Sequence, residues 1–421
     1  MSGDLDVRPT ATTPDAGREL EGRVLPGAGL TVAERMVVDA AVPDLKPRVR
    51  EIVDVARQIL DEEGIDALSM RAIAARLDVR APSLYKHLPD KRAILDVLVA
   101  DILRENGEAM RAAITGAEDP VGAILEAFRR WAREHPQRYA VAMDGELDES
   151  PLVQSAALYS GDPLRWAMRD DLEGAVTLWS FAHGLVDLEM KGRLPPAYDP
   201  DLVWRRGVAH LRHEDDGAEL PPPMLGAEAT AEFWSDPPEE VARSPRAMRI
   251  VEVARELLEE EGEEGMSMRR IAARLGVRAP SLYKHLPDKL AMENAIIALI
   301  LDEMGAIGMA AGASAADAGE DPLTAVMTAY REYAHAHPAL YRLYTRGRLD
   351  DGPLVRGAEL RSAESVARAT GFDGVAAMCI WAFVHGLVDL EAKGRIPQSY
   401  DRDAVFRRGL AALRPADEVT W

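Results

Sequence analysis

The sequence predicts an all-α protein carrying two copies of one two-domain unit in a single polypeptide, and three observations predict it. Ala, Arg, Leu and Glu are abundant while aromatic residues make up 5% of the chain, a balance that favours helix over strand. Apolar residues recur at helical spacing in both halves. Finally, SMRAIAARLDVRAPSLYKHLPDK at 69–91 returns as SMRRIAARLGVRAPSLYKHLPDK at 267–289, with 21 of 23 positions identical at an offset of 198. A second block, FAHGLVDLEMKGR at 181–193, returns as FVHGLVDLEAKGR at 383–395 at an offset of 202. At about 170 residues each copy is far longer than a solenoid repeat. The offset grows by four between residue 100 and Pro120, where the second copy reads as having a longer Ala/Gly-rich connection, MAAGASAADAGED.

Composition narrows the class. With 421 residues and 47% hydrophobic content, the chain can bury the cores of several domains. A lone cysteine, Cys379, forms no internal disulfide, so nothing argues for an oxidising compartment. The N-terminus is acidic where a secretory signal is basic and then apolar. No apolar run approaches the ~20 residues that span a bilayer, so the expectation is a cytoplasmic protein with no membrane partner. A net charge of −21 opposes phosphate binding overall, but charge is distributed unevenly. Segment 213–244 holds nine acids against Arg243, whereas 69–91 holds five bases against two acids.

These shifts divide the chain into an N-terminal extension at 1–46, read as flexible, and a first head at 47–93 with its regulatory domain at 94–212. An acidic, Pro-rich linker at 213–244 follows. The second head is expected at 245–291, its regulatory domain at 292–414 and a tail at 415–421. In each head the apolar spacing gives three short helices. Val55, Ala56, Ile59 and Leu60 line a first helix ending at Gly64. Ser69 caps a second helix with Ile73, Ala74 and Leu77 inward. Val79, Arg80 and Ala81 make a turn, and Pro82 suits the first position of a third helix reaching Leu88.

Three short helices with a tight turn before the last form a helix-turn-helix pattern. With Leu84-Tyr85-x-His87 and Lys91, and again Leu282-Tyr283-x-His285 and Lys289, it resembles the N-terminal domain of the TetR family of repressors. The chemistry of the major groove then assigns base contacts to Arg71, Arg80, Ala81, Pro82, Ser83 and Lys86 and to Arg269, Arg278, Ala279, Pro280, Ser281 and Lys284. Arg71 is the candidate for bidentate guanine recognition. Tyr85, His87 and Lys91, with Tyr283, His285 and Lys289, resemble the family's phosphate-contacting positions, which set register without reading sequence.

Beyond the heads, Trp179-Ser-Phe-Ala-His183-Gly184 and Trp381-Ala-Phe-Val-His385-Gly386 resemble the WHG-type C-terminal domain of some TetR-like regulators. The resemblance implies that the last two helices form a four-helix dimer interface and the middle helices a pocket for a small effector. Tyr139, Met143, Trp179 and His183, with Tyr341, Tyr344, Trp381 and His385, are the candidate pocket residues. Core packing is the competing reading for the tryptophans, and a hydrogen-bonded histidine in a helix interface for the histidines. Gly184 and Gly386 point to close helix approach. No nucleophile motif or zinc spacing accompanies these residues, so the sequence predicts no enzyme, metal or cofactor.

The resulting expectation is an effector-responsive regulator, a repressor, that binds double-stranded DNA. Because one chain holds both halves, it reads as an intramolecular pseudodimer, monomeric in solution, on an inverted-repeat operator. The 32-residue linker has a mean span of about 30 Å as a flexible coil. Two alternatives stand beside this reading: a ligand-free architectural DNA-binding protein, and a beads-on-a-string regulator that dimerises between chains. Between the heads and the last helices the copies have drifted, with 13 identities in 41 positions between 138–178 and 340–380. Unequal effector sites are therefore expected.

Overall fold

The computed structural model describes residues 45–145, 150–169, 171–196, 198–212, 244–397, 400–415 and 421. The expected N-terminal extension, acidic linker and most of the tail lie outside these residues. Among the described residues the regular structure is entirely helical. The first copy contains α1 (Pro47–Glu63), α2 (Met70–Arg76), α3 (Ala81–Leu84), α4 (Lys91–Ile114), α5 (Pro120–Glu134), α6 (Pro136–Met143), α7 (Pro151–Ala167), α8 (Leu172–Met190) and α9 (Pro200–Leu211). The second contains α10 (Pro245–Glu261), α11 (Met268–Arg274), α12 (Lys289–Ala318), α13 (Pro322–Ala336), α14 (Pro338–Thr345), α15 (Pro353–Ala369), α16 (Gly374–Ala392) and α17 (Arg402–Leu413).

Local chemistry explains most boundaries. Ser69 accepts a hydrogen bond from Ala72 N at 3.1 Å, Asp90 from Ala93 N at 2.8 Å and Asp119 from Gly122 N at 3.1 Å. Each satisfies an amide that has no partner within its helix. Ser267, Asp288 and Asp321 repeat these caps in the second copy. The chain forms two compact units, Met1–Ala175 with Lys393–Arg395, and Val176–Ala392 with Ile396–Trp421. The division falls inside α8, so α9 and most of α8 belong with the second copy's helices.

In the first unit, α4 packs on α1 at one end and on α5, α6 and α7 further along. It thus joins the head to the regulatory helices. In the second unit, α12 plays the same part between α10 and the bundle of α13, α14 and α15.

Several elements differ from expectation. The third head helix is one turn long rather than reaching Leu88, and its counterpart at Ala279–Ser281 is a 3₁₀ turn. Pro82 donates no bond, and Pro89 stops any continuation. Buried Leu84 and Leu88 pin the segment instead. Ile52 and Val53 join Ala56, Ile59 and Leu60 in the α1 core, while Val55 is half-buried. The Ala/Gly-rich stretch of the second copy is helix, not connection: α12 continues to Ala318. Alanine is the best helix former, and a Cβ added to Gly305 would lie 2.9 Å from Ser362 Cα, so the small residue admits α15 at backbone distance. Helices α12 and α16 are also long and apolar enough by composition to cross a membrane, which the run-length reading missed. In the fold they are core helices, with most of the apolar stretch of α16 and half that of α12 buried.

The second unit is organised around the crossing of α8 and α16. A Cβ built on Gly184 would lie 1.9 Å from Ala382 O, and one on Gly386 would lie 1.9 Å from Ser180 O. The two backbones touch, and no side chain fits between them. Phe181 lies against Gly207 of α9 and Phe383 against Gly409 of α17, each ring 2.1 Å from where a Cβ would stand. Gly184→Ala and Gly386→Ala are expected to destabilise the protein in chemical denaturation. Overpacking costs on the order of 1–3 kcal/mol, and here backbone itself must move, which outweighs the ~1 kcal/mol helix-propensity gain of alanine.

Candidate nucleic-acid interface and regulatory core

Each head presents one continuous polar surface. Arg71, Arg80, Pro82, Tyr85, Lys86, His87 and Lys91 are exposed, and Ala81 and Ser83 are partly so. Tyr85 and Tyr283 are each 49% exposed, large aromatic rings held out in solvent. Arg269, Arg278, Pro280, Tyr283, Lys284, His285 and Lys289 are exposed in the second head, with Ala279 and Ser281 partly exposed. Ser83 Oγ and Ser281 Oγ each donate to the carbonyl three residues back in the turn, at Arg80 and Arg278, over 2.7 Å. Arg76 and Arg274 are not part of this free positive surface. Arg76 pairs with Glu62 and Glu63, and Arg274 with Glu260 at 2.7 Å.

The two sequence differences between the heads have separate explanations. Asp78 and Gly276 lie in the turn, not on the second helix, at φ 51° and 66°. Glycine adopts this left-handed conformation freely, and aspartate tolerates it better than most residues. Arg270, where the first head has Ala72, is on the helix and pairs with Glu261. Lys289 pairs with Glu293 at 3.4 Å, whereas Lys91 has Leu95 at that spacing.

Polar clamps join head to regulatory helices. In the first unit Arg138 of α6 bonds Asp61 of α1 at 2.6 Å and Glu105 of α4 at 2.7 Å, and Arg57 pairs with Glu105 at 3.3 Å and with buried Asp101. In the second unit Arg255 pairs with Glu303, which also accepts from the Tyr333 hydroxyl at 2.8 Å. Leu299 stands where the first copy has Asp101.

Flanking the glycine crossing are two reciprocal pairs. His183 Nε2 lies 2.9 Å from Asp389 Oδ2, and His385 Nε2 lies 3.0 Å from Asp187 Oδ2. All four residues are buried. Tyr341 OH is 2.9 Å from His385 Nδ1. A neutral imidazole therefore accepts from the tyrosine and donates Nε2–H to the carboxylate. Burial pushes the His385 pKa down, against the pull of Asp187. Burial opposes ionisation of Asp187, but the His385 bond and the Lys191 ammonium, at 2.9 Å, hold its carboxyl down to about 2.

A cavity of about 250 Å³ lies within the second unit, between α12, α13, α15 and α16. Tyr344 and Trp381 line it; Tyr341 and His385 are not among its lining residues. One wall comes from the first copy, the segment after α8 that carries Arg193. Arg193 is 5% exposed, donates from Nη1 to Tyr344 O at 2.8 Å, and stacks 4.5 Å over the Tyr344 ring. The equivalent Arg395 reaches the carbonyls of Ala142 and Gly145 in the first unit. Of the remaining candidates, Tyr139 and Met143 are buried in α6, Tyr139 edge-on to Phe128 at 6.2 Å, and Trp179 is half-buried in α8.

Both kinds of domain match known families. The family described as "Bacterial regulatory proteins, tetR family" matches residues 52–98 and 250–296, and "Tetracyclin repressor-like, C-terminal domain" matches 121–211 and 323–413. The chain is 34% identical over 176 residues to the uncharacterized HTH-type transcriptional regulator Rv0681 of Mycobacterium tuberculosis, covering 39% of this chain and 79% of that protein. The chain belongs to the TetR family. It is a DNA-binding transcriptional regulator in which both family domains occur twice, a tandem duplication. Tetracycline repressor protein class D of Escherichia coli is 44% identical over 52 residues, 12% of this chain and 24% of its own length. The chain thus spans about a quarter of that relative. A solved structure of a protein of unknown function from Rhodococcus sp. RHA1 is 22% identical and covers 40% of this chain and 95% of its own, with a TM-score of 0.36.

Asp187, Asp389 and Arg193 escaped the sequence reading. His183-x-x-x-Asp187 and His385-x-x-x-Asp389 share the repeat block, but each acid bonds the other copy's histidine. Linear spacing does not show that exchange. In this TetR-family core, neutral His385 faces Asp187, Asp389, Lys191 and Tyr341. Its folded pKa is depressed, so the unfolded chain, titrating near ~6.5, takes up the proton first as pH falls. The contribution of His385 is full above about pH 6.5 and is lost below it, whereas that of Asp187 persists until pH falls from ~3.9 towards about 2. Melting temperature is expected to drop between about pH 7 and pH 5, and His385→Gln is expected to flatten that slope.

Proposed function

We propose that the protein is an effector-responsive repressor acting in the cytoplasm as a single-chain pseudodimer, its heads reading matched halves of an inverted-repeat operator. Reciprocity of the α8–α16 contact carries this reading. In an isologous two-fold interface every contact occurs twice with roles exchanged. Here His183–Asp389 is matched by His385–Asp187, Gly184 on Ala382 O by Gly386 on Ser180 O, and Phe181 on Gly207 by Phe383 on Gly409. A beads-on-a-string arrangement leaves these surfaces to a second chain. A ligand-free architectural role leaves the cavity in the second unit without a purpose.

The heads, 47–93 and 245–291, carry the DNA contacts in this reading. Arg71, Arg80 and Lys86 with Ala81, Pro82 and Ser83, and their counterparts Arg269, Arg278 and Lys284 with Ala279, Pro280 and Ser281, read bases. Tyr85, His87, Lys91, Tyr283, His285 and Lys289 hold phosphates. The regulatory halves, 94–212 and 292–414, sense unequally. Along α12 the cavity has Gly308 where α4 has Met110, and it has Tyr344 and Glu359 where the first copy has Ala142 and Ala157.

Light scattering is expected to give the 46.0 kDa mass of one chain, and footprinting an inverted repeat of two like half-sites. A mass of two chains, or unrelated half-sites, overturns the pseudodimer. Arg71→Ala with Arg269→Ala is expected to weaken the specific site by about 1–3 kcal/mol per lost base contact, far more than random DNA. Lys91→Ala is expected to weaken all sequences alike and to reduce the salt slope by about one unit. Because Lys289 is already paired with Glu293, Lys289→Ala should have the smaller effect, and equal losses contradict that assignment.

A further inference from the structure

We infer that the cavity of the second regulatory half is a site for a small apolar carboxylate, whose anion is held by Arg193 of the first copy. The inference rests on the effector-responsive reading and gives it a ligand chemistry.

Arg193 is an unusual group to find in such a place. Its side chain is buried, yet among the described residues it makes no ion pair, and its Nε has no hydrogen-bond partner. One amino group meets Tyr344 O, and the planar face rests on Tyr344, with the Trp381 ring 5.8 Å away. A buried guanidinium without a counter-ion is costly. Of the acids in the cavity wall, Asp350 accepts from Asn294 at 2.9 Å and Asp351 pairs with Arg348 at 2.6 Å, while burial pushes the Glu359 carboxyl pKa up, against the pull of Arg193 and Arg356. Among the described residues Glu359 makes no ion pair with Arg193, so the guanidinium keeps no carboxylate against it. The missing partner is an anion that enters from the cavity.

The lining sets the remainder of the ligand. Leu301, Met304, Val326, Met327 and Val384 make the wall apolar. At about 250 Å³ the space falls below the 300–1,000 Å³ typical of drug-sized ligands, which favours a short aryl or alkyl chain. A guanidinium fork matches the two oxygens of a carboxylate. A cationic ligand is disfavoured, because the Tyr344 face that could cradle it is already covered by Arg193. The first copy does not repeat the arrangement. Arg395 meets two carbonyls, and Ala142 supplies no ring beneath it. One ligand per chain follows, and it touches both copies. Arg193 lies three residues beyond α8, so the anion is seated where the crossing helix delivers it.

The test is calorimetric titration of the full chain with 4-phenylbutyrate, 4-phenylbutyramide and 4-phenylbutylamine, with operator affinity measured alongside. The carboxylate is expected to bind once per chain, about tenfold or more tighter than the amide, and the amine not at all. Arg193→Gln should abolish that preference, so that carboxylate and amide bind alike. Arg193→Lys, which keeps the charge, should retain part of it and decides the matter if the glutamine variant melts early. Arg395→Gln should leave it intact. No saturable carboxylate binding, equal affinity for carboxylate and amide, tighter amine binding, or a preference that survives in Arg193→Gln each overturns the inference. Arg193-dependent carboxylate binding that leaves operator affinity unchanged sustains the site and overturns the effector reading instead. Operator release by the amide or amine, independent of Arg193, does the reverse.

Discussion

Where α8 and α16 cross, backbone meets backbone. Gly184 and Gly386 each leave room for a carbonyl of the opposite helix where any other residue would place a carbon. This approach brings the reciprocal histidine–aspartate pairs within hydrogen-bond distance. Burying two carboxylates is expensive, and removing a histidine would leave its carboxylate charged and without that donor. The pairs therefore specify one register of the two helices more than they add net stability. Phe181 and Phe383 then find Gly207 and Gly409 on the neighbouring helices. The chain leaving α8 arrives at the second copy's cavity with Arg193 inside it.

Each head is joined to the regulatory helices of its own unit by one long helix, α4 in the first and α12 in the second. Each helix is shared between a helix-turn-helix and a regulatory bundle, so a tilt at one end is felt at the other. The clamps that fix that tilt are chemically unlike. The first uses Arg138, Asp61 and the buried Asp101, whereas the second relies on Arg255, Glu303 and Tyr333 with Leu299 in the aspartate's place. Divergence between the copies thus extends from the middle helices to the points where they grip the heads. The surfaces offered to DNA remain nearly the same.

Much of this was legible in the residues alone. The duplicated block at 69–91 and 267–289 specified both heads, because the serine cap, the turn and the inward leucines are written in adjacent positions, although the third helix proved shorter than its pattern. Ser69 and Gly64 marked helix ends through local hydrogen bonding and turn geometry. His183 and Gly184 could be read as interface residues, because glycine inside a helix makes sense only where something comes close. Local patterns misled where a neighbour decided the outcome. Ala/Gly-rich sequence read as connection became the end of α12, because alanine favours helix and Gly305 and Gly308, just before it, let α15 pack close. Two apolar helices long enough for a membrane became core elements, because the second unit buries most of the apolar stretch of α16 and half that of α12.

By itself, then, the sequence determined an all-α tandem duplication with two helix-turn-helix heads, since composition, helical spacing and an internal repeat are all properties of neighbours along the chain. The exchange of partners belonged to tertiary structure alone. Asp187 is four residues from His183 and bonds His385; Arg193 is in the first copy and lies in the second copy's cavity. Both depend on where two helices cross, and that is set by the touching backbones of two glycines 202 positions apart.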